Sequence, residues 1–101
     1  MRILFIVPSL KNAGPVIVVY DLVHLLIKCG HKCCVCYFDK IEELKFDCEV
    51  VQISMGQKLN FSDYDIVHTH GYRPQLYAFL HKSWNKSSAK FVTTMPVSYT
   101  H

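Results

Sequence analysis

An apolar strand, an apolar helix and a second apolar strand follow one another at the start of the chain, and this order constrains the fold most. Residues 2–7 (RILFIV) form a continuous run rich in β-branched residues, which is typical of a strand covered on both faces. Residues 15–29 (PVIVVYDLVHLLIKC) have the length of a helix, and residues 32–38 (KCCVCYF) predict a second strand. Short connections between them indicate a right-handed crossover and therefore a parallel sheet.

The predicted first helix has clear start and stop signals. Pro15 suits the first helical turn, where its missing N–H costs nothing, and Gly30 suits the left-handed position just past the end. The helix is apolar almost all round, so we expect it to be largely buried, against the sheet and against a second surface.

The same alternation continues to the end of the chain. We predict further strands at residues 48–53, 65–68 and 90–95, and a polar connection at 39–47 with at most a short helical turn. A second helix is predicted at 72–84, with apolar residues at helical spacing: Leu76, Tyr77, Leu80 and Trp84. The 101 residues are enough for one domain, which we predict to be a doubly wound α/β sheet of order 3-2-1-4-5.

Composition excludes several classes of function. The net charge is only +3 and the lysines are scattered, which is not the pattern of a nucleic-acid binder. No apolar stretch is long enough to span a bilayer. The five cysteines have neither an even count nor the C-x2-C spacing of structural zinc sites, so we expect free, packed thiols and a cytoplasmic protein.

Three loops are expected to form the ligand site, because ligands of such sheets bind outside the carboxyl ends of the strands. The loop over residues 9–14 ends at Gly14, which would let backbone N–H groups approach an anion at the helix start. The alternative is a glycine that only eases an ordinary turn. The other two loops are residues 69–73 and the stretch from Pro96 onward.

The stretch "DIVHTHG", residues 65–71, carries two histidines. His68 and His70 should point to one side of the sheet, and a metal site is disfavoured because no third ligand follows. We expect His68 to be satisfied within the strand and His70 to contact a sugar hydroxyl or a phosphate. Gly71 lets the chain turn, and Arg73 is either a bidentate donor for phosphate or carboxylate or a solvated helix start.

Together, "MRILFIVPSL", "GPVIVVYDLVHLLIKCGHKCCVCYF", "YDIVHTHGYRPQLYAFL" and "KFVTTM" resemble the amino-terminal domain of family 4 glycosyltransferases, which are retaining enzymes of the GT-B fold. The resemblance covers residues 1–95. It implies an incomplete amino-terminal Rossmann-like domain that holds a glycan or lipid-linked acceptor, with the nucleotide-sugar donor bound mostly by a second domain. It also implies that the loop at Ala13 and Gly14 reaches the donor diphosphate. On the acceptor side of the cleft we expect His70, Gly71 and Arg73. The family often has two glycines where this chain has Ala13-Gly14.

The chain departs from the family after its last strand. A histidine lining the reaction centre is expected where this chain has Pro96, which can neither donate nor bear a proton, so no catalytic residue is assigned. We therefore expect residues 96–101 to be a non-family tail, arising from a frameshift, a truncated gene or a cloning scar. We also expect marginal stability, an exposed sheet edge and no transferase activity from the chain alone.

Partners and alternatives follow from the same resemblance. Nucleotide-sugar is expected as a substrate rather than a cofactor, no metal is expected, and peripheral membrane association and self-association through the exposed edge are both compatible with the sequence. One alternative is a stand-alone module that binds a nucleotide or sugar phosphate at Gly14. Another is an interaction protein completed by a partner chain.

Overall fold

The first strand lies in the middle of a five-stranded, all-parallel sheet. The computed structural model describes residues 1–82 and 89–94. Their elements are β1 (Arg2–Leu10), α1 (Gly14–Lys28), β2 (Lys32–Glu42), β3 (Glu49–Gln52), a 3-10 turn (Phe61–Asp63), β4 (Ile66–His70), α2 (Tyr72–Lys82) and β5 (Lys90–Thr94). The sheet order is β3-β2-β1-β4-β5, which confirms the predicted doubly wound order 3-2-1-4-5.

Two apolar clusters cover the two faces of the sheet. Along β1 the side chains alternate, so that Leu4 and Ile6 enter one cluster while Phe5 and Val7 enter the other. Val19 and Val23 of α1 pack on the second cluster, and Tyr77 of α2 packs on the first. The helices therefore lie on opposite faces, as expected when successive right-handed crossovers run in opposite directions from the central strand.

The helix α1 begins and ends as its sequence predicts. Pro15 lies in the first turn. Gly30 has φ +90° just past the end, and the N–H of His31 donates to the carbonyl of Leu26 at 3.0 Å. The expectation that α1 is largely buried is wrong. Val16, Val19 and Val23 face the sheet, but Val18 is 61% exposed and Leu25 58% exposed on the outer side.

The buried face of α2 also differs from the prediction. Leu76 and Leu80 were expected to mark the apolar face, but they are 51% and 46% exposed. The buried positions follow a neighbouring stripe at the same helical spacing: Pro74, Tyr77, Ala78 and His81. The hydroxyl of Tyr77 donates to the carbonyl of Gln57, and an imidazole nitrogen of His81 lies 2.8 Å from the carbonyl oxygen of Met55. The burial of Tyr77 agrees with the prediction, and the contact with Met55 allows the polar residue His81 to be buried as well.

Three strands extend past their predicted ends, and one of them is β4, which ends at His70 rather than at residue 68. β1 continues to Leu10 and β2 to Glu42, with Ser9 opposite Asp39 and Leu10 opposite Glu42 after a local register shift. The polar residues 39–42 pair through their backbones, which a search for apolar runs does not detect. The predicted helix position Trp84 and strand position Met95 lie outside the described residues.

Two valines of α1 test how much its buried face contributes to stability. Val23→Ala should lower the free energy of unfolding by about 1–3 kcal/mol, because Val23 is fully buried between α1 and the sheet. Val18→Ala makes the same change at an exposed position and should cost nothing, since alanine is the better helix former. Denaturant unfolding of both variants measures the difference, and equal effects would contradict the assigned face of α1.

Candidate functional site

The candidate site lies at the carboxyl ends of β1 and β4. These neighbouring strands are where the winding of the sheet reverses, because β1 leads to β2 on one side and β4 leads to β5 on the other. Doubly wound sheets bind ligands in the crevice at this point. The loop of residues 11–13 and Gly71 flank this crevice, which we call the switch crevice.

The loop at the start of α1 has an accessible backbone. Ala13 is the extended residue before the helix, no side chain caps the helix start, and no acidic residue lies in the first turn. Gly14 is exposed, its φ is not positive, and a Cβ placed on it would meet no protein atom within 4 Å. The fold therefore tolerates alanine at position 14. Any need for glycine there would come from a ligand.

The two histidines of β4 share one side of the sheet, as predicted, and the structure shows that it is the side covered by α1. His68 packs against Phe5, with ring centroids 5.2 Å apart. His70 is the last residue of β4 and is 5% exposed, yet neither of its ring nitrogens has a hydrogen-bond partner. Burial lowers the pKa of both imidazoles, and the neighbouring His70 lowers the pKa of His68 further. His70 is therefore a neutral group with an unused donor and an unused acceptor.

Gly71 makes the turn from β4 into α2. Its φ is +99°, a conformation that residues with a side chain rarely adopt. A Cβ at this position would lie 3.4 Å from Cγ of Pro8 and 3.8 Å from Cδ of Pro74, which is ordinary van der Waals contact. The positive φ, rather than a lack of space, therefore favours glycine here, and the nearness of Pro8 shows that this turn lies close to β1.

Arg73 is already paired. Its Nη2 lies 2.6 Å from Oδ2 of Asp39 in β2, and its guanidinium lies over the ring of Phe38 at 5.1 Å. Because β1 lies between β4 and β2, this pair reaches across the end of β1. Arg73 is thus neither a fully solvated helix start nor an unoccupied donor.

Sequence reasoning missed two acidic residues at this edge. Besides Asp39, the carboxylate of Glu43 accepts a hydrogen bond from the N–H of Asn12 at 2.8 Å. Both acids were assigned to a polar connection. Their position after an apolar strand was the available signal, since the carboxyl end of β2 lies at the same edge as the crevice.

A small cavity beside α2 is lined by both polar and apolar side chains. This cavity of about 150 Å³ lies between α2 and the last two strands, lined by Thr69, Gln75, Ala78, Phe79, Phe91 and Thr93. Across residues 1–82 and 89–94, no group of three or more His, Cys, Asp or Glu side chains could hold a metal ion. Pro96 and the predicted tail at 96–101 lie outside the described residues, so their assignments stay predictions.

Glycines with positive φ test the backbone requirement at the turn after β4. Gly71→Ala should lower the free energy of unfolding by about 1–2 kcal/mol, because a residue with a side chain rarely adopts this left-handed backbone. Gly30→Ala, at φ +90°, should cost about as much, and Gly56→Ala is the control because its φ is not positive and its Cβ would meet nothing within 4 Å. Denaturant unfolding in which Gly71→Ala costs no more than Gly56→Ala would contradict the assigned conformation.

The lowered pKa of His70 predicts an acid-sensitive fold. Below pH 6.5 the unfolded chain binds a proton that the folded chain resists, so the stability contributed above pH 6.5 is lost as the pH falls through the folded-state pKa. NMR titration should show the His70 imidazole protonating below pH 6.5. In His70→Gln, the unfolding free energy should depend less steeply on pH in this range. A His70 resonance that titrates at or above 6.5 would contradict the assigned burial.

Comparison with known proteins indicates a class of enzyme. The chain is similar to the O-antigen biosynthesis glycosyltransferase WclY of Escherichia coli, two curated sequences of which are each 28% identical to it over 100 residues. The match covers 94% of this chain and 28% of the relative, so the chain spans less than a third of the length of these curated relatives. No protein-family model and no solved structure matches the chain. No helix among the described residues is both long and apolar enough to cross a membrane. The similarity supports a relationship to glycosyltransferases.

Proposed function

We propose that this chain is the amino-terminal part of a retaining, GT-B glycosyltransferase of family 4, which transfers a sugar from a nucleotide-sugar to a glycan or lipid-linked acceptor. One observation carries the proposal: similarity to an O-antigen biosynthesis glycosyltransferase extends over 94% of the chain. The parallel sheet in the order β3-β2-β1-β4-β5 supports it, because the family resemblance implies a Rossmann-like half of this kind.

In this proposal the start of α1 receives the donor diphosphate. Backbone N–H groups at a helix start point outward, and the helix dipole favours negative charge there. The first turn of α1 has neither a capping side chain nor an acidic residue to satisfy these groups. The open space around Gly14 lets a phosphate approach the backbone closely.

His70 and Gly71 lie on the acceptor side in this proposal. A neutral imidazole offers one N–H donor and one acceptor nitrogen, which matches a sugar hydroxyl that also donates and accepts. Leaving a buried polar group unpaired costs about 1–3 kcal/mol, so a hydroxyl that pairs with His70 would recover part of that cost. The burial of His70 and its position at the end of β4 support this proposed role.

The chain alone should bind ligands without turning them over. Transfer requires a donor and an acceptor held together in reacting geometry, and this chain spans only 28% of the length of its curated relative. We assign no catalytic residue, and Pro96 occupies the position at which the family resemblance implies a histidine. The same family resemblance leads us to propose a cytoplasmic location with peripheral association to the membrane.

Gly14→Ala tests the donor assignment. The added methyl meets no protein atom, so folding should be unchanged, but it should hinder a diphosphate and weaken binding about 2- to 10-fold. Gly56→Ala is the matched control, because Gly56 is exposed and its Cβ would also meet nothing within 4 Å. Titration of the labelled chain with uridine or guanosine diphosphate, followed by amide NMR, measures affinity and locates the shifted resonances.

Two results would contradict the proposal. Diphosphate binding that Gly14→Ala and Gly56→Ala weaken equally, or that shifts no amide near Gly14, would remove the donor assignment. Release of nucleoside diphosphate from a nucleotide-sugar by the 101-residue chain would overturn the proposed need for further chain.

A further inference from the structure

Two carboxylates from the end of β2 hold the polar groups that an anionic ligand of the switch crevice would use. Asp39 pairs with the guanidinium of Arg73, and Glu43 accepts the N–H of Asn12. Each contact joins residues more than 30 positions apart in the chain. The Asn12–Glu43 contact depends on the pairing of β1 with β2, whereas the Arg73–Asp39 pair depends on β1 lying between β2 and β4.

The Arg73–Asp39 pair is well placed to be opened by a competitor. The side chains are 42% and 54% exposed, and exposed ion pairs contribute little net free energy. The guanidinium also lies over the ring of Phe38, 5.1 Å from its centroid, which is a second contact independent of Asp39. Arg73 can therefore keep its position when Asp39 is neutralised or displaced.

The Glu43 contact fixes a second segment against the same edge. The backbone N–H groups of Glu43 and Leu44 both donate to the carbonyl of Leu10 at 3.0 Å, and the Glu43 carboxylate then reaches Asn12 at 2.8 Å. Asn12 lies two residues before Gly14. A negative charge of the chain itself thus lies beside the start of α1, where an incoming phosphate would also bind.

We propose that Asp39 and Glu43 are specificity-determining residues that make the switch crevice select against anionic ligands unless the anion displaces both carboxylates. The inference rests on the proposed function, because it assumes that an anion binds at the start of α1. At this edge an anion meets the like charges of Asp39 and Glu43, and the Arg73 guanidinium is already held by Asp39. A diphosphate has several oxygens with which to replace the carboxylates on Arg73 and Asn12. A neutral hydroxyl at His70 displaces neither.

Charge-neutral variants test this directly. Asp39→Asn and Glu43→Gln keep an acceptor oxygen for Arg73 and for the Asn12 N–H, so the fold should be kept while the negative charge is lost. Each should bind inorganic pyrophosphate about two- to fivefold more tightly than the unmodified chain, and the gain should shrink at high salt. Asp63→Asn is the matched control, because it removes one negative charge in the 3-10 turn before β4, away from the carboxyl edge.

A second comparison isolates the role of Arg73. Adding Arg73→Gln to Asp39→Asn should cancel the gain if that gain comes from releasing the guanidinium. Calorimetry with pyrophosphate measures all affinities, and amide NMR of Asn12 shows whether the Glu43 contact is replaced when pyrophosphate binds.

The possible outcomes separate the role of Asp39 and Glu43 from the proposed diphosphate site itself. Tighter binding in Asp39→Asn and Glu43→Gln but not in Asp63→Asn supports the inference, including the case in which only the two variants bind measurably. Binding that is unchanged by both variants, or tightened equally by all three, overturns the inference and leaves the proposed diphosphate site intact. Absence of pyrophosphate binding in every variant overturns the diphosphate site itself, and the inference with it.

Discussion

Parallel pairing on both sides of β1 is the constraint on which the rest of the structure depends. β1 pairs with β2 along most of its length and with β4 from Ile3 to Ile6, and Leu4, Ile6 and Val7 are completely buried. A strand that is buried on both faces can form its backbone hydrogen bonds only within the sheet. Loss of either neighbouring strand would therefore leave buried N–H and C=O groups of β1 unpaired. The same placement creates the switch crevice, because the chain leaves the sheet in opposite directions beside the end of β1.

Continuous apolar runs made the sheet order predictable from the sequence. The sequence did not show which helix residues would be buried and which would be exposed. The run RILFIV and the following helix leave few arrangements other than a doubly wound sheet. Helical spacing predicted Tyr77, Leu76 and Leu80 of α2 as buried, but it could not show that Tyr77 is buried together with His81 while the two leucines are exposed. Burial of Tyr77 and His81 depends on carbonyl acceptors at Gln57 and Met55, which only the folded chain brings near.

The sequence predicted where the residues of the candidate site lie in the fold, but not which hydrogen bonds and ion pairs they form. Alternation along β4 places His68 and His70 on one side, and the topology places Gly14 and Gly71 at the same crevice. The unpaired state of His70 and the paired state of Arg73 depend on residues distant in the sequence. Arg73 and Asp39 are 34 positions apart, and only the extension of β2 beyond Phe38 brings them together.

The polar groups of the crevice are of two kinds: those that already have a hydrogen-bond partner within the protein and those that have none. His70 is buried, neutral and unpaired, so a ligand hydroxyl gains contacts there without breaking any within the protein. Arg73 and the Asn12 N–H are exposed and paired with carboxylates, so an anion gains only the difference between its own contacts and those it replaces. Under the proposed function, the end of β4 therefore suits a neutral hydroxyl, because His70 has a donor and an acceptor that no group of the protein uses. Under the further proposal, Asp39 and Glu43 make anion binding at the start of α1 depend on the charge and number of phosphate oxygens that the ligand brings.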